Sequence, residues 1–354
     1  MSLPRVMIVS ASEDIVGGHA VQASALLTGL RGDGYAVDLI PINPRFPKGL
    51  IRLRRYPYIR TLINQALYLA RLLRVRHANV VHAFSASYWS FLLAPVPALL
   101  AARLCGARPV LHYHSGEADD HLSRWGALVH PWLRLAKDIV VPSEYLETIF
   151  KRHGYRARVI QNVVDLQRFS FRRRYPVRPR LISTRNLEPH YRVDTVLEAF
   201  ASLRAQYPEA TLTVVGAGSQ EQPLRGLARS LNISPEFAGQ VSPDRMPAFY
   251  QAADIFCNAS IVDNQPVSIL EALSTGVSVV STPTGDIPAL IRDRETGLIV
   301  PPGSPNAMAS AVSFLLQHPE RADFMASHGR DVGRRYTWEC VRDQWAAVYA
   351  GSTA

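Results

Sequence analysis

Short apolar runs alternate with stretches of helical apolar spacing along almost the whole chain. The runs 6–10, 37–41, 80–84, 109–113, 138–141 and 158–160 predict a first series of strands, and 181–183, 212–215, 255–258, 277–281 and 297–300 a second. Each is predominantly apolar, and the intervening spans are long enough for helices. That pattern predicts parallel sheets covered on both faces. Between the two series the chain runs through Asn162-Val163-Val164-Asp165 into 171–180, where prolines stand among like charges. Such a segment reads as an interdomain linker. The expected architecture is α/β, with two Rossmann-like, doubly wound parallel-sheet domains over residues 1–167 and 168–335. No internal repeat and no low-complexity tract competes with it.

Within the second series, Asp263 and Glu271 stand eight residues apart, the first in a loop and the second inside a predicted helix. Asn264 is placed to cap that helix and Pro266 sits where a missing N–H costs least. Val267, Ile269, Leu270, Ala272 and Leu273 supply its buried face before Gly276 stops it. The free N–H groups from Gln265 to Ser268, of Gln265, Val267 and Ser268, are then expected to face the space between the carboxylates. A helix N-terminus suits phosphate and a neighbouring carboxylate suits hydroxyls, so the combination describes a ligand with both, such as a nucleotide sugar.

At 354 residues and 47% hydrophobic the chain can bury two cores, in keeping with domains of about 150 residues each. The most apolar stretch, 91–104, is broken by Pro95 and Pro97, which argues against a spanning helix. Arg5 followed at once by a strand-like run argues against a secretory leader. Cys105, Cys257 and Cys340 are scattered and odd in number, which fits a reducing cytoplasm and neither a disulfide framework nor a zinc site.

The net charge of +10 is unevenly spread, since no acid occurs between Asp38 and Glu117. Lys48, Arg52, Arg54, Arg55 and Arg60 lie there among Leu50, Ile51, Tyr56, Tyr58 and Ile59. This patch is expected to meet an anionic membrane surface or the acceptor, against the plainer reading of a solvated basic loop. Nucleic acid is not expected as a partner, because no recognition motif accompanies the charge.

In doubly wound sheets ligands gather at strand C-termini. Gly17 and Gly18 follow the first strand, His112, Tyr113 and His114 close the fourth, and Arg185 closes the first strand of the second series. Gly216-Ala217-Gly218 lacks the third glycine of a dinucleotide fingerprint and the acidic ribose partner, which disfavours a dehydrogenase.

These pieces in this order resemble the retaining glycosyltransferases of family 4, which have the GT-B fold of two domains facing a cleft. The resemblance covers nearly the whole chain. It rests on Val141-Pro142-Ser143-Glu144-Tyr145, on Ile160-Gln161-Asn162-Val163-Val164-Asp165, on the Val215-Gly216-Ala217-Gly218 turn, on 246–258, and above all on the paired-acid helix. It implies that Glu271 binds the ribose hydroxyls of a nucleotide sugar and Asp263 the transferred sugar. Gly18 would approach the phosphates, Arg185 would pair with the pyrophosphate and His114 would lie near the sugar. The final stretch 336–354, with Val341, Trp345, Val348 and Tyr349 in helical spacing, would pack back on the first domain. The family pair usually begins with glutamate, so Asp263 is one methylene shorter, and Arg192 stands close to the family's usual lysine.

The activity so implied is metal-independent transfer, with retention, from a UDP- or GDP-sugar to a glycan or lipid-linked acceptor in cell-surface polysaccharide or glycolipid synthesis. The nucleotide sugar is a substrate, so no cofactor is expected. The place would be the cytoplasm, peripheral on the inner face of the cytoplasmic membrane. The alternatives are an inactive nucleotide-sugar-binding scaffold and a GT-B sugar-nucleotide epimerase. Arg185, Arg192 and the helix-start N–H groups would neutralise the departing phosphate, and no Asp-x-Asp pair offers a metal site.

Overall fold

The structure is a computed structural model that describes residues 3–12 and 17–352. The side chains of Arg54 and Pro57 also lie outside the described part, so the expectation for Arg54 is not addressed. Contacts divide the chain into two units, Met1–Gln161 with Trp338–Ala354, and Asn162–Thr337.

The first unit is built on β1 (Val6–Ser10), β2 (Val37–Pro41), β3 (Val80–Ser85), β4 (Arg108–Tyr113), β5 (Asp138–Val141) and β6 (Arg158–Val159), in the order β2-β1-β3-β4-β5-β6. All pairings are parallel. β1 and β3 are buried along their whole length, as continuous apolar runs between two helical layers must be. The helix Trp338–Ala350 closes this unit, with Val341, Trp345, Val348 and Tyr349 buried.

The second unit holds β7 (Arg180–Thr184), β8 (Thr211–Val215), β9 (Glu236–Gly239), β10 (Ile255–Asn258), β11 (Ser278–Ser281) and β12 (Leu298–Ile299), in the order β12-β11-β10-β7-β8-β9 and again all parallel. Its topology reverses between β7 and β10, the place where an open parallel sheet leaves a crevice at its carboxyl edge. The loops that follow these two strands carry Arg185 and Asp263. Fully buried Phe200 and Phe256 anchor the helices on either face, and each such side chain contributes roughly 1.5–3 kcal/mol by leaving water. The edge strand β9 has no counterpart among the predicted runs. Glu-Phe-Ala-Gly is too short and too polar to announce a strand, and its residues stay partly exposed.

The segment 171–180 is not a solvated linker. Arg174 is buried, donating through Nε to the Ala253 carbonyl (2.7 Å) and through Nη2 to that of Tyr250 (2.8 Å), and it also reaches the Thr275 carbonyl. Arg172 and Arg180 join it around the buried carboxylate of Asp254. The cations expected to repel one another are therefore satisfied by helix-end carbonyls and one shared acid. The division between the units also falls before residue 162, because Val164 and Phe169 already pack with Ile182, Tyr250 and Phe256.

Candidate functional site

In the second unit the site begins where β7 ends. Arg185 follows Thr184 and is largely buried; its guanidinium pairs with Asp263 and donates to Ser268 Oγ at 3.0 Å. The same guanidinium lies over the Tyr191 ring, 4.3 Å from its centroid. Its Nε has no hydrogen-bond partner among the described residues.

Two glycines set the backbone on either side of this pair. A Cβ on Gly216 would stand 2.1 Å from the Arg185 carbonyl oxygen, and one on Gly285 would stand 2.3 Å from that of Asp263. Both glycines also have positive φ, 142° and 60°, where other residues are strained. The Gly216 turn lets the chain press against Arg185.

Glu271 lies in the helix Val267–Thr275, with Val267 and Ser268 half-buried at its start. Its Oε2 accepts from the Tyr250 hydroxyl at 2.8 Å, and that hydroxyl also lies 3.2 Å from the Ser268 carbonyl and 2.8 Å from Thr184 Oγ1. A phenol has a single proton, so Thr184 donates to Tyr250 while Tyr250 donates to the carboxylate. Burial pushes the Glu271 carboxyl up to about 7, against the opposing effects of Tyr250 and Arg168. Asp263, Arg185 and the Ser268 hydroxyl are thus bonded in series, and Tyr250, bonded to Glu271, lies 3.2 Å from the carbonyl of that same Ser268.

The helix start departs from expectation. Asn264 is not the cap: the cap position is Pro266, which gives no side-chain hydrogen bond and whose carbonyl accepts from Ile269 N. Asn264 uses its own N–H on Asp263 Oδ1 (3.0 Å) and its carbonyl on Asp286 N (3.0 Å). A proline there cannot donate and leaves its neighbours to hold the loop. Gln265 does so, accepting from Asn162 N at 2.8 Å and donating to Asp286 Oδ2 at 3.0 Å, while Asn162 Nδ2 donates to the Gln265 carbonyl at 2.9 Å.

Arg192 does not stand beside Arg185 in the bonded network. It adopts a left-handed conformation before the helix Val193–Arg204 and holds Asp194 through two nitrogens at 2.9–3.1 Å.

In the first unit Gly17 and Gly18 open the helix Gly18–Gly32, with no side-chain cap and open space where their Cβ atoms would be. The first N–H groups of this helix therefore face no side chain of their own cap. His114, at the end of β4, is buried against a stack of aromatic rings. Its centroid lies 4.1 Å from His112, 5.0 Å from His19 and 5.2 Å from Phe84. Behind it Tyr349 Oη meets His82 Nδ1 at 2.8 Å, and His82 Nε2 meets His112 Nδ1 at 3.1 Å. Burial pushes His19 down to about 4 and His82 down to about 3. It holds His112 and His114 well below the usual imidazole range as well, with repulsion from neighbouring histidines adding to it. All four imidazoles are neutral at pH 7.

The basic patch is helical: residues Lys48–Arg55 form a short 3-10 turn and Pro57–Leu72 an α-helix. Tyr58, Leu62, Leu69 and Leu73 are exposed at spacings that share one helical face, while Tyr68 and Leu72 are buried on another. Lys48, Arg52, Arg55 and Arg60 have no acidic partner among the described residues.

Among the described residues, no group of three or more His, Cys, Asp or Glu side chains is placed to hold a metal ion. Thr184, Tyr250 and Asp286 were not singled out from sequence. Tyr250 is the missed residue with a readable signal, since it lies in the motif segment 246–258 and is the polar ring on an otherwise apolar helix face.

Two family models cover this chain: "Glycosyltransferase Family 4" matches residues 16–168 and "Glycosyl transferases group 1" matches residues 169–332. A GDP-mannose-dependent alpha-(1-6)-phosphatidylinositol monomannoside mannosyltransferase of Mycobacterium tuberculosis is 30% identical over 297 residues, 75% of this chain and 76% of that protein. A phosphatidyl-myo-inositol mannosyltransferase of Mycobacterium leprae is 26% identical over 357 residues, 97% of this chain and 95% of that protein. In fold, the chain is similar to HepE of Anabaena, crystallised with UDP-glucose, at a TM-score of 0.77 and 17% identity over 98% of this chain and 99% of that one. The sucrose-phosphate synthase of Thermosynechococcus elongatus is equally close, at a TM-score of 0.77 and 18% identity over 98% of both chains.

Proposed function

The chain belongs to the family 4 glycosyltransferases and so passes a sugar from a nucleotide sugar to a glycan or glycolipid acceptor; from that premise we propose that it does so with retention and without a metal, through the network of Arg185, Asp263 and Glu271. Glu271 accepts hydroxyl protons of the nucleotide ribose, and Tyr250 fixes which oxygen it offers. Arg185 meets the pyrophosphate, which competes with Asp263 for the guanidinium. Released in this way, Asp263 is free to accept from a hydroxyl of the transferred sugar.

Breaking the anomeric C–O bond leaves negative charge on the departing phosphate. Arg185 and the N–H groups of Val267 and Ser268 neutralise it in a partly buried site where such interactions are strong. The acceptor oxygen forms the new bond to the anomeric carbon, and its proton passes to a leaving phosphate oxygen on the same face of the sugar. His114 is neutral and serves as a hydrogen-bond partner of the sugar, and Gly17 and Gly18 leave room for the phosphates. Arg192 stays with Asp194 in this reading and shapes the loop that presents Tyr191 to Arg185.

The observation that carries the proposal is that Asp263, Arg185 and Ser268 are bonded in series next to the Tyr250–Glu271 pair, where the sheet order reverses. A panel of GDP- and UDP-sugars tests it, beginning with GDP-mannose because it is the donor named for the Mycobacterium tuberculosis relative. The expected result is thermal stabilisation by one nucleotide followed by sugar release from its conjugate. Stabilisation without release from any donor would make the chain a binder.

The acceptor is proposed to be membrane-borne, in keeping with the phosphatidylinositol acceptors named for the relatives. No helix among the described residues is long and apolar enough to cross a membrane. The helix Pro57–Leu72 instead presents an exposed apolar face beside unpaired arginines, the composition of a segment that lies in a bilayer interface. Each cation near an anionic surface contributes about 1 kcal/mol. The place of action so proposed is the inner face of the cytoplasmic membrane.

A further inference from the structure

Most large aromatic side chains of the first unit are at least partly buried; Tyr58 in the basic segment and Trp89 are the two most exposed, and Trp89 is 65% exposed. It stands just after β3, on the carboxyl edge of the sheet that also carries His114. Trp89 meets Trp125 edge to face, with centroids 5.3 Å apart and planes at 89°, and Tyr88 lies 5.5 Å from Trp125. Leaving an indole in water forgoes the burial of a large apolar surface. A lone exposed ring needs no explanation; three rings that meet at one edge of a sheet do.

The corner is rigid and carries polar groups. Tyr88 donates its hydroxyl to Asp120 Oδ2 at 2.7 Å, and Arg124 pairs with Asp120 Oδ1 at 2.9 Å, leaving the carboxylate 40% and the guanidinium 78% exposed. Beneath, the hydroxyl of Tyr113 sits 2.9 Å from Ser87 Oγ and 2.9 Å from His121 Nδ1, so the turn after β3 and the helix after β4 are tied together from inside. Tyr88 itself has φ of 56°, an uncommon conformation for an aromatic residue, held only where its surroundings fix it.

We propose that Trp89, Trp125, Asp120 and Arg124 form a subsite for a pyranose ring of the acceptor glycan; this rests on the reading of the chain as a sugar transferase. A pyranose has one face of C–H bonds, whose partial positive charge suits the negative face of an indole, and a rim of hydroxyls. An oriented carboxylate accepts from neighbouring hydroxyls and a guanidinium donates to them, so Asp120 and Arg124 complement the rim as Trp89 complements the face. A purely apolar partner would leave that ion pair unused. The position, beyond the ends of β3 and β4, places the subsite on the strand edge where His114 stands. The acceptor then contains at least one sugar ring, which the enzyme recognises by stacking.

The test is binding of the intact protein to an array of α-linked manno- and gluco-oligosaccharides, with the same sugars followed by calorimetry. Wild type is expected to capture at least one of them, Trp89→Ala to weaken that capture tenfold or more, Asp120→Asn to weaken it less, and Trp89→Phe to retain most of it. Thermal unfolding of each variant shows that the fold is kept. Equal capture by wild type and Trp89→Ala, or no capture by wild type, overturns the subsite. It is also overturned if Trp89→Ala changes only the association with phosphatidylglycerol vesicles. Sugar release from nucleotide sugars by wild type is followed in parallel. Its absence overturns the transferase reading, whereas glycan capture that depends on Trp89 upholds the subsite on its own.

Discussion

Replacing Glu271 by glutamine is expected to make the protein more stable and less able to bind its nucleotide. Glu271 is buried in the helix Val267–Thr275, and its carboxyl is raised from 4.5 to about 7 chiefly by that burial. A carboxyl whose folded pKa lies above its unfolded value favours the fold only while protonated. Its stabilising contribution is full below about 4.5 and is lost as the pH rises through about 7. At ~1.4 kcal/mol per pH unit, ionisation of Glu271 in the folded state costs about 3 kcal/mol by pH 8. Glutamine keeps an oxygen for the Tyr250 hydroxyl and carries no charge, so Glu271→Gln escapes that cost. For a unit of this size the gain corresponds to a rise in Tm on the order of 5–10 °C at pH 8, shrinking toward pH 5. Binding moves the other way. An ionised carboxylate that accepts two ribose hydroxyls contributes ~1.5–3 kcal/mol for each bond, so the affinity for the nucleoside diphosphate falls at least tenfold. Circular dichroism melts at pH 5 and pH 8 together with calorimetric titration of GDP and UDP measure both effects. A variant that melts lower at pH 8 while holding its nucleotide as tightly as wild type would refute the reasoning.

Gly285→Ala is expected to depress nucleotide-sugar turnover more than nucleotide affinity, because the added methyl would stand 2.3 Å from the Asp263 carbonyl and must move that loop; unchanged kcat would show that Asp263 is not held there for chemistry. His114→Ala and Arg185→Ala should each lower kcat/KM with the true donor by tenfold or more while Tm shifts little in comparison, and near-normal turnover in either variant removes that residue from the mechanism. EDTA should leave the transfer rate intact, and loss of rate restored by manganese would contradict the metal-free site. Binding to vesicles rich in anionic lipid should fall as salt rises and fall again in the combined Arg52→Ser, Arg55→Ser and Arg60→Ser variant; equal partition onto neutral and anionic vesicles would mean the patch is only solvated.

Buried parallel strands were legible because their apolar runs need no context: β1, β3 and β10 lie where continuous hydrophobic stretches place them. What failed was anything decided by a distant partner. The cations between Phe171 and Arg180 look alike in sequence, yet Arg174 is a buried structural pin because the carbonyl ends of two helices converge on it. Asn264 has every local property of a helix cap and is instead drawn to Asp263 and Asp286 by a loop that Gly285 allows to approach. The paired acids were found by spacing, but Tyr250, which orients one of them, reaches Glu271 from a different helix, and no local pattern announces such a contact.

The histidine stack of the first unit bears on which residues the proposal can ask to carry positive charge. A phosphate leaving group calls for positive charge, and a histidine near the sugar is the natural candidate if only residue types are considered. His82, His112 and His114, packed among Phe84, Trp345 and Tyr349, and His19, packed on His114, are poor candidates, because burial lowers the basicity of each. With the Tyr349 hydroxyl donating to His82 Nδ1, His82 Nε2–H donates to His112 Nδ1, and the His112 Nε2 proton is then left without a partner among the described residues. In that arrangement His112 Nε2–H is a neutral donor, a group suited to a hydroxyl and unsuited to phosphate charge. The proposed pyrophosphate contact then falls to Arg185, while Arg168 is a cation felt by Glu271. The Arg185 guanidinium rests on Asp263, so in the proposed reaction the pyrophosphate would have to open that pair.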